Sequence, residues 1–199
     1  MNDVERLCYD RLMAELHNGV SACAIMGNLK AESAMRPDNL QNSYEKKLGM
    51  NDAQYVEAVN SGKWSKDKFM HDCAGFGLAQ HTHWSRKGGL WDHTVGRGRS
   101  VADPDAQLDF ILLELKSNKS LWSRLLTATD VYAAASWILL EYEKPADQSE
   151  ANCKRRGDLA MSYYEELTEP AQDPEADALQ LLRDAQDLIT KALKILEGA

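Results

Sequence analysis

At 199 residues, 44% of them hydrophobic and 27% charged, the chain is long enough for one core of ordinary size plus an appendage. A formal net charge of −8 counts against a nucleic-acid binder and against a polybasic membrane-surface protein, so neither partner is expected. The opening MNDVERLCYDRLMAEL has acids among its first residues and no unbroken apolar run, and no later stretch approaches the length of a membrane span. No signal peptide is read there, and a protein that is cytosolic when made is expected. Cys8, Cys23, Cys73 and Cys153 are scattered without CxxC spacing, which predicts reduced thiols.

Most of the chain reads as helix. Residues 2–17 place Val4, Leu7, Cys8, Leu12 and Leu16 at helical spacing, and Asn18-Gly19 makes a stop. A second helix is predicted from Val20 to Ser33; Pro37 ends any continuation, and residues 34–50 read as a structured loop with at most one short helical turn. A short helix follows from Asn51 or Asp52 through Val59. AGFGLAQ (74–80) is rich in small residues and reads as a tight turn or small hairpin. Further helices are predicted over 82–95, over 104–117 with Asp103 as N-cap, and over 119–127. Thr129 is expected to cap the apolar helix VYAAASWILLEY, and a helix over 148–167 completes the globular part. Residues 1–167 are thus one domain.

TEPAQDPE (168–175) holds two prolines and little apolar content, as a linker would. Over 176–199, Ala178, Ala185 and Ala192 recur at heptad spacing beside Leu181, Leu188, Ile195 and Leu182, Ile189, Leu196. That amphipathic helix either folds back on its own domain or, as we favour, joins copies of the chain into a homo-oligomer.

Glu32 is the most informative position. Ile25, Leu29 and Glu32 share one helix face, and Glu32 falls in the last turn, where the helix dipole is negative. Apolar surroundings and that dipole are both expected to raise its pKa, as suits a proton donor to a leaving oxygen. By spacing alone, a helix-terminal glutamate that points into solvent is the favoured reading.

The segment AESAMRPDNLQNSYEKKLG, followed by DCAGFGLAQHTHWSRK and by WILLEYEKPADQS, resembles the phage tail-lysozyme family, wall-degrading domains of phage tail proteins and endolysins. The resemblance spans roughly residues 20–166. Glu32-Ser33 and the GFGLAQ loop are also similar to elements of goose-type lysozymes and lytic transglycosylases, in which the glutamate is the catalytic acid. What this implies is a mainly α, lysozyme-like two-lobed domain with at most a small β-hairpin near residues 73–80. It also implies a cofactor-independent cut of the β-1,4 bond between N-acetylmuramic acid and N-acetylglucosamine in bacterial peptidoglycan. An endolysin of this kind waits in the host cytoplasm until a separate protein permeabilises the membrane.

Other roles follow from the same resemblance. Goose-type enzymes often carry an Asp at the position that Thr82 occupies here, so Asp72 is the preferred second catalytic group. Glu45 is next, as a carboxylate or a substrate contact; without a protein base, the sugar's own 6-hydroxyl attacks and leaves an anhydro product. Gly75 and Gly77 let backbone approach a sugar, and Gln80 is a hydrogen-bonding candidate beside Thr82. Tyr142 is expected in the groove, and Glu143 stands where transglycosylases carry Asn, as a ligand, a third carboxylate or a salt-bridge partner. Of Trp64, Trp84 and Trp91, Trp84 is best placed to offer a sugar a flat face. A zinc amidase built from His71, Asp72, Cys73, His81, His83 and His93 is the rival, although HExxH spacing is missing and no metal site is expected. A wall-binding module without catalysis is the third reading.

Overall fold

The computed structural model describes residues 1–168 together with Leu182, Arg183, Ala185, Gln186 and Ile189. Met1–Tyr164 form one compact unit. It is built from α1 (Asp3–Leu16), α2 (Gly19–Ser33), α3 (Asn42–Leu48), α4 (Asp52–Asn60), α5 (Lys66–His71), α6 (Trp84–His93), α7 (Pro104–Ser117), α8 (Lys119–Leu126), α9 (Val131–Ile138) and most of α10 (Glu150–Thr168). No described residue belongs to a strand; the hairpin expected near 73–80 is reduced to two antiparallel bridges, Leu40 with Phe76 and Phe76 with His81. The mainly α class therefore holds. No helix among the described residues is long and apolar enough to cross a membrane.

Capping explains most of the boundaries. Asn2 and Glu5 form a capping box at the start of α1. Asn18 proves to be the start of α2 and not the stop of α1: its side chain accepts from the Ser21 N–H, while His17 takes the left-handed turn that ends α1. Asp103 caps α7 ahead of Pro104, as predicted. Asp130, one residue past the predicted Thr129, caps α9, because its carboxylate reaches the Ala133 N–H. The region read as loop contains α3, and the unpredicted α5 starts at Ser65, whose hydroxyl accepts from Lys68 N–H. Six residues are too few for a periodic signal.

Nine consecutive residues of α2, Ser21 to Leu29, are buried, so this helix is surrounded and packs against α1 and α9. Gly27 sits where α2 meets α10: a Cβ there would lie 2.6 Å from the Ala160 backbone nitrogen. Helix propensity alone favours Ala over Gly, but this contact is backbone and has no easy way to yield. Gly27→Ala should therefore destabilise the fold by about 1–3 kcal/mol, read as a lower urea midpoint. A second apolar cluster, with Tyr55, Phe69, Phe76, Leu90 and Phe110 among its members, gathers side chains of α4, α5, α6 and α7 around the glycine loop.

α9 does not end cleanly. It runs into a π-helical turn, Leu139–Glu143, closed by Lys144 in the left-handed region at φ 50°. The five described residues past 168 are helical. The rest of the linker and of the predicted oligomerisation segment lies outside the described residues.

Candidate active site

The last turn of α2, the glycine loop, the start of α6 and the π-helical turn enclose a cavity of about 410 Å³. Glu32, Gln41, Gly75, Ala79, Gln80, Thr82, His83, Arg86, Glu143, Lys144 and Pro145 line it. Residues far apart in sequence meet here because the helix end and the loop are fastened together. Ser33 Oγ donates to the Leu78 carbonyl at 2.9 Å and lies 3.2 Å from the Leu29 carbonyl, so the residue after Glu32 ties its helix to the loop.

The loop is held from several sides. Leu78 N–H donates to Gln107 Oε1 at 2.8 Å, and the Gln107 amide donates to the Pro37 and Val101 carbonyls, each at 2.7 Å. Gln107 is buried and gave no sign of this role in sequence. Gly77, at φ +78°, is left-handed, as is Gln80 at φ 44°; a Cβ on Gly77 would lie 2.6 Å from Gln107 Oε1. Its work is to seat the loop, and it is not among the cavity-lining residues. Gly75 is the glycine that lines the cavity: a Cβ on it would meet Gln80 Oε1 at 2.8 Å and Thr82 Oγ1 at 3.3 Å. Gln80 spends its NH₂ on the Asn39 and Gly77 carbonyls, at 2.9 and 3.2 Å.

Glu32 is not set in the apolar surroundings expected of it. Arg156, reaching over from α10, donates to Glu32 Oε1 and, at 2.9 Å, to the Asn28 carbonyl. The Glu32 side chain is 19% exposed and that of Arg156 4%; of the two, only Glu32 lines the cavity, with its carboxylate edge open. The second acid is Glu143. Burial, and then the charge of Glu32, push its carboxyl up to about 8.

Behind the cavity wall, Glu114 of α7 gathers three partners. Arg86 binds it with two hydrogen bonds of 2.7 and 2.9 Å, His81 Nε2 lies 2.9 Å away, and Tyr142 donates its hydroxyl at 2.7 Å. Burial pushes Glu114 up, yet the hydrogen bonds from His81 and Arg86 outweigh it and hold the carboxyl down to about 2. Burial lowers the pKa of His81, which keeps the ring neutral. Because the folded-state value of Glu114 lies below the ordinary 4.5, its contribution is present above that value and is lost as pH falls toward 2. Glu114→Gln should flatten the drop in unfolding free energy between pH 5 and about 2.5, measured by urea titration at each pH.

Of the residues singled out from sequence, the cavity collects Glu32, Gln80 and Thr82, with Gly75, His83 and Glu143. Tyr142 lies behind it, bonded to Glu114, with the Arg86 guanidinium 4.7 Å from its ring centre. Trp84, 53% exposed, stands beside the lining residue His83 with ring centres 5.6 Å apart. Glu45 is half-buried in α3 and is not a lining residue. Asp72 is also outside the lining, its side chain 2% exposed and paired with the fully buried Lys87. Tyr55 and Trp64 donate to its Oδ2 and Ala74 N–H to its Oδ1, which leaves no oxygen for a water nucleophile. The histidines are dispersed, His81 on Glu114, His71 on Asp67 and His93 on the Gly89 carbonyl. Among the described residues no three His, Cys, Asp or Glu side chains come together as a metal-holding group.

Comparison with curated proteins returns no match. The family model described as Phage tail lysozyme matches residues 3–167, which take in the whole cavity. The chain belongs to that family of lysozyme-like, peptidoglycan-degrading enzymes.

Proposed function

We propose that the protein is an endolysin-type muramidase that cuts the β-1,4 bond between N-acetylmuramic acid and N-acetylglucosamine, with Glu32 as the proton donor. One observation carries this reading: an open carboxylate edge at the floor of a polar cavity, on a helix end tied by Ser33 to a glycine loop. Gly75 leaves room for the Gln80, Thr82 and Gln41 side-chain oxygens to gather beside it, and all four residues line the cavity where a sugar would rest. The exposed ring of Trp84 extends a flat face from the rim for a further saccharide.

In the reaction, Glu32 gives a proton to the glycosidic oxygen as the bond to the muramic acid C1 breaks, and positive charge builds on the ring. Water, or the muramic acid 6-hydroxyl, then closes on C1 from within the cavity. Mass spectrometry of the muropeptides released from purified sacculi tests the proposal. Fragments ending in reducing muramic acid mean hydrolysis, and anhydro ends mean transglycosylation. Fragments cut only at amide bonds, or release undiminished in Glu32→Gln, would overturn it.

A further inference from the structure

A proton donor that rests in an ion pair with Arg156 must receive its proton from somewhere, and the cavity holds a second carboxyl. Glu143, at the end of the π-helical turn, lines the same cavity as Glu32. Its Oε1 is shut off from solvent and has no hydrogen-bond partner. The charges around it come from every element packed there: Glu32 on α2, Arg86 on α6, Glu114 on α7 and Arg156 on α10. Lys144 and His83 complete the cavity's titratable lining.

Neither arginine satisfies Glu143. Arg86 is held by both oxygens of Glu114; Arg156 gives its two terminal nitrogens to the Asn28 carbonyl and Glu32, and its buried Nε, itself without a partner, donates to neither Glu143 oxygen. A buried carboxylate oxygen without a donor is costly, and retaining a proton is the cheaper state. The value of about 8 that burial and Glu32 impose agrees with that geometry.

Resting on the muramidase reading, we propose that Glu32 and Glu143 form a carboxyl pair carrying one proton between them, with Glu143 its resting holder and Glu32 the group that delivers it to the glycosidic oxygen. As the C1–O bond breaks, the proton passes from Glu143 to Glu32 and on to the leaving oxygen, which becomes the 4-hydroxyl of N-acetylglucosamine. The pair is then a dianion, facing Arg86 and Arg156. When water or the 6-hydroxyl bonds to C1, the proton it loses restores the pair. The same two groups are acid and then base, so an Asp at position 82 is not required. Glu143 works through Glu32 and is a positioning residue for the proton.

Carbon-13 NMR of glutamate carboxyls in the full chain reads the pair directly. One carboxyl should titrate near pH 8, vanish in Glu143→Gln, and move down by about one unit or more in Glu32→Gln. No glutamate titrating above the ordinary carboxylate range, or one that ignores Glu32→Gln, overturns the proposal. On sacculi, Glu143→Gln should lose about tenfold or more at pH 7 and recover as pH falls, with Glu143→Asp keeping part of the neutral activity. A Glu143→Gln profile that keeps the wild-type alkaline limb also overturns it. If Glu143→Gln does not fold, the Glu32→Gln titration decides alone. If the wild type cuts no glycosidic bond, the muramidase reading falls by itself, while the titration still decides whether the two carboxyls share a proton.

Discussion

Replacing Asp72 with Asn should cost about 3–5 kcal/mol of unfolding free energy and leave turnover per folded molecule near wild type. Asp72 and Lys87 are the most deeply buried ion pair described, with side chains 2% and 0% exposed. Lys87 also donates to Tyr55 Oη at 3.1 Å and to the Ala74 carbonyl at 3.0 Å. Burial pushes Lys87 below its ordinary range, and the neighbouring Asp72 charge is what opposes that. An amide at position 72 keeps the shape but removes the charge, and leaves a buried ammonium uncompensated. Urea denaturation at pH 7 measures the loss. The double variant Asp72→Asn/Lys87→Met should regain much of it, since the unpaired charge goes too. A Glu32-like collapse in activity with stability untouched would return Asp72 to the chemistry.

Glu32→Gln should show the opposite pattern. Loss of the transferable proton should lower clearing of sacculi by about 10²–10⁴-fold, while the helix end stays in place. The Gln carbonyl oxygen can still accept from Arg156, and the Ser33 link to Leu78 does not involve the side chain at position 32. Thermal melting by circular dichroism checks that the fold is kept, and turbidity clearing reads the activity. The two variants together separate residues that build the site from residues that act in it.

Much of the fold was legible because its helices are long and well capped. Asp103-Pro104 announces α7, and the spacing of Ile25 and Leu29 marks one inward face of α2, although the helix is buried all round from Ser21 to Leu29. What stayed hidden depends on partners distant in sequence. Asp72 looked catalytic because it adjoins the glycine loop in sequence, yet its side chain turns into the aromatic cluster, where the Lys87 charge and the donors Tyr55, Trp64 and Ala74 N–H make its burial tolerable. Gly75 and Gly77 are two positions apart; Gln107 behind one and the cavity before the other settle which is which. Glu143 carried three open readings, because a carboxyl's state is set by what surrounds it: Arg86 engaged by Glu114, Arg156 by Glu32, and an oxygen left without a donor. The Glu32-Ser33 pair and the glycine loop were recognisable by resemblance, but their reason for occurring together is the 2.9 Å contact between Ser33 and Leu78.

That contact has a mechanical consequence. Because one hydroxyl links the end of α2 to the loop, Glu32 and the glycine loop are held as one part rather than as two that must be brought together. On the proposed reading, a glycan that displaces the loop moves the Glu32 end of α2 with it.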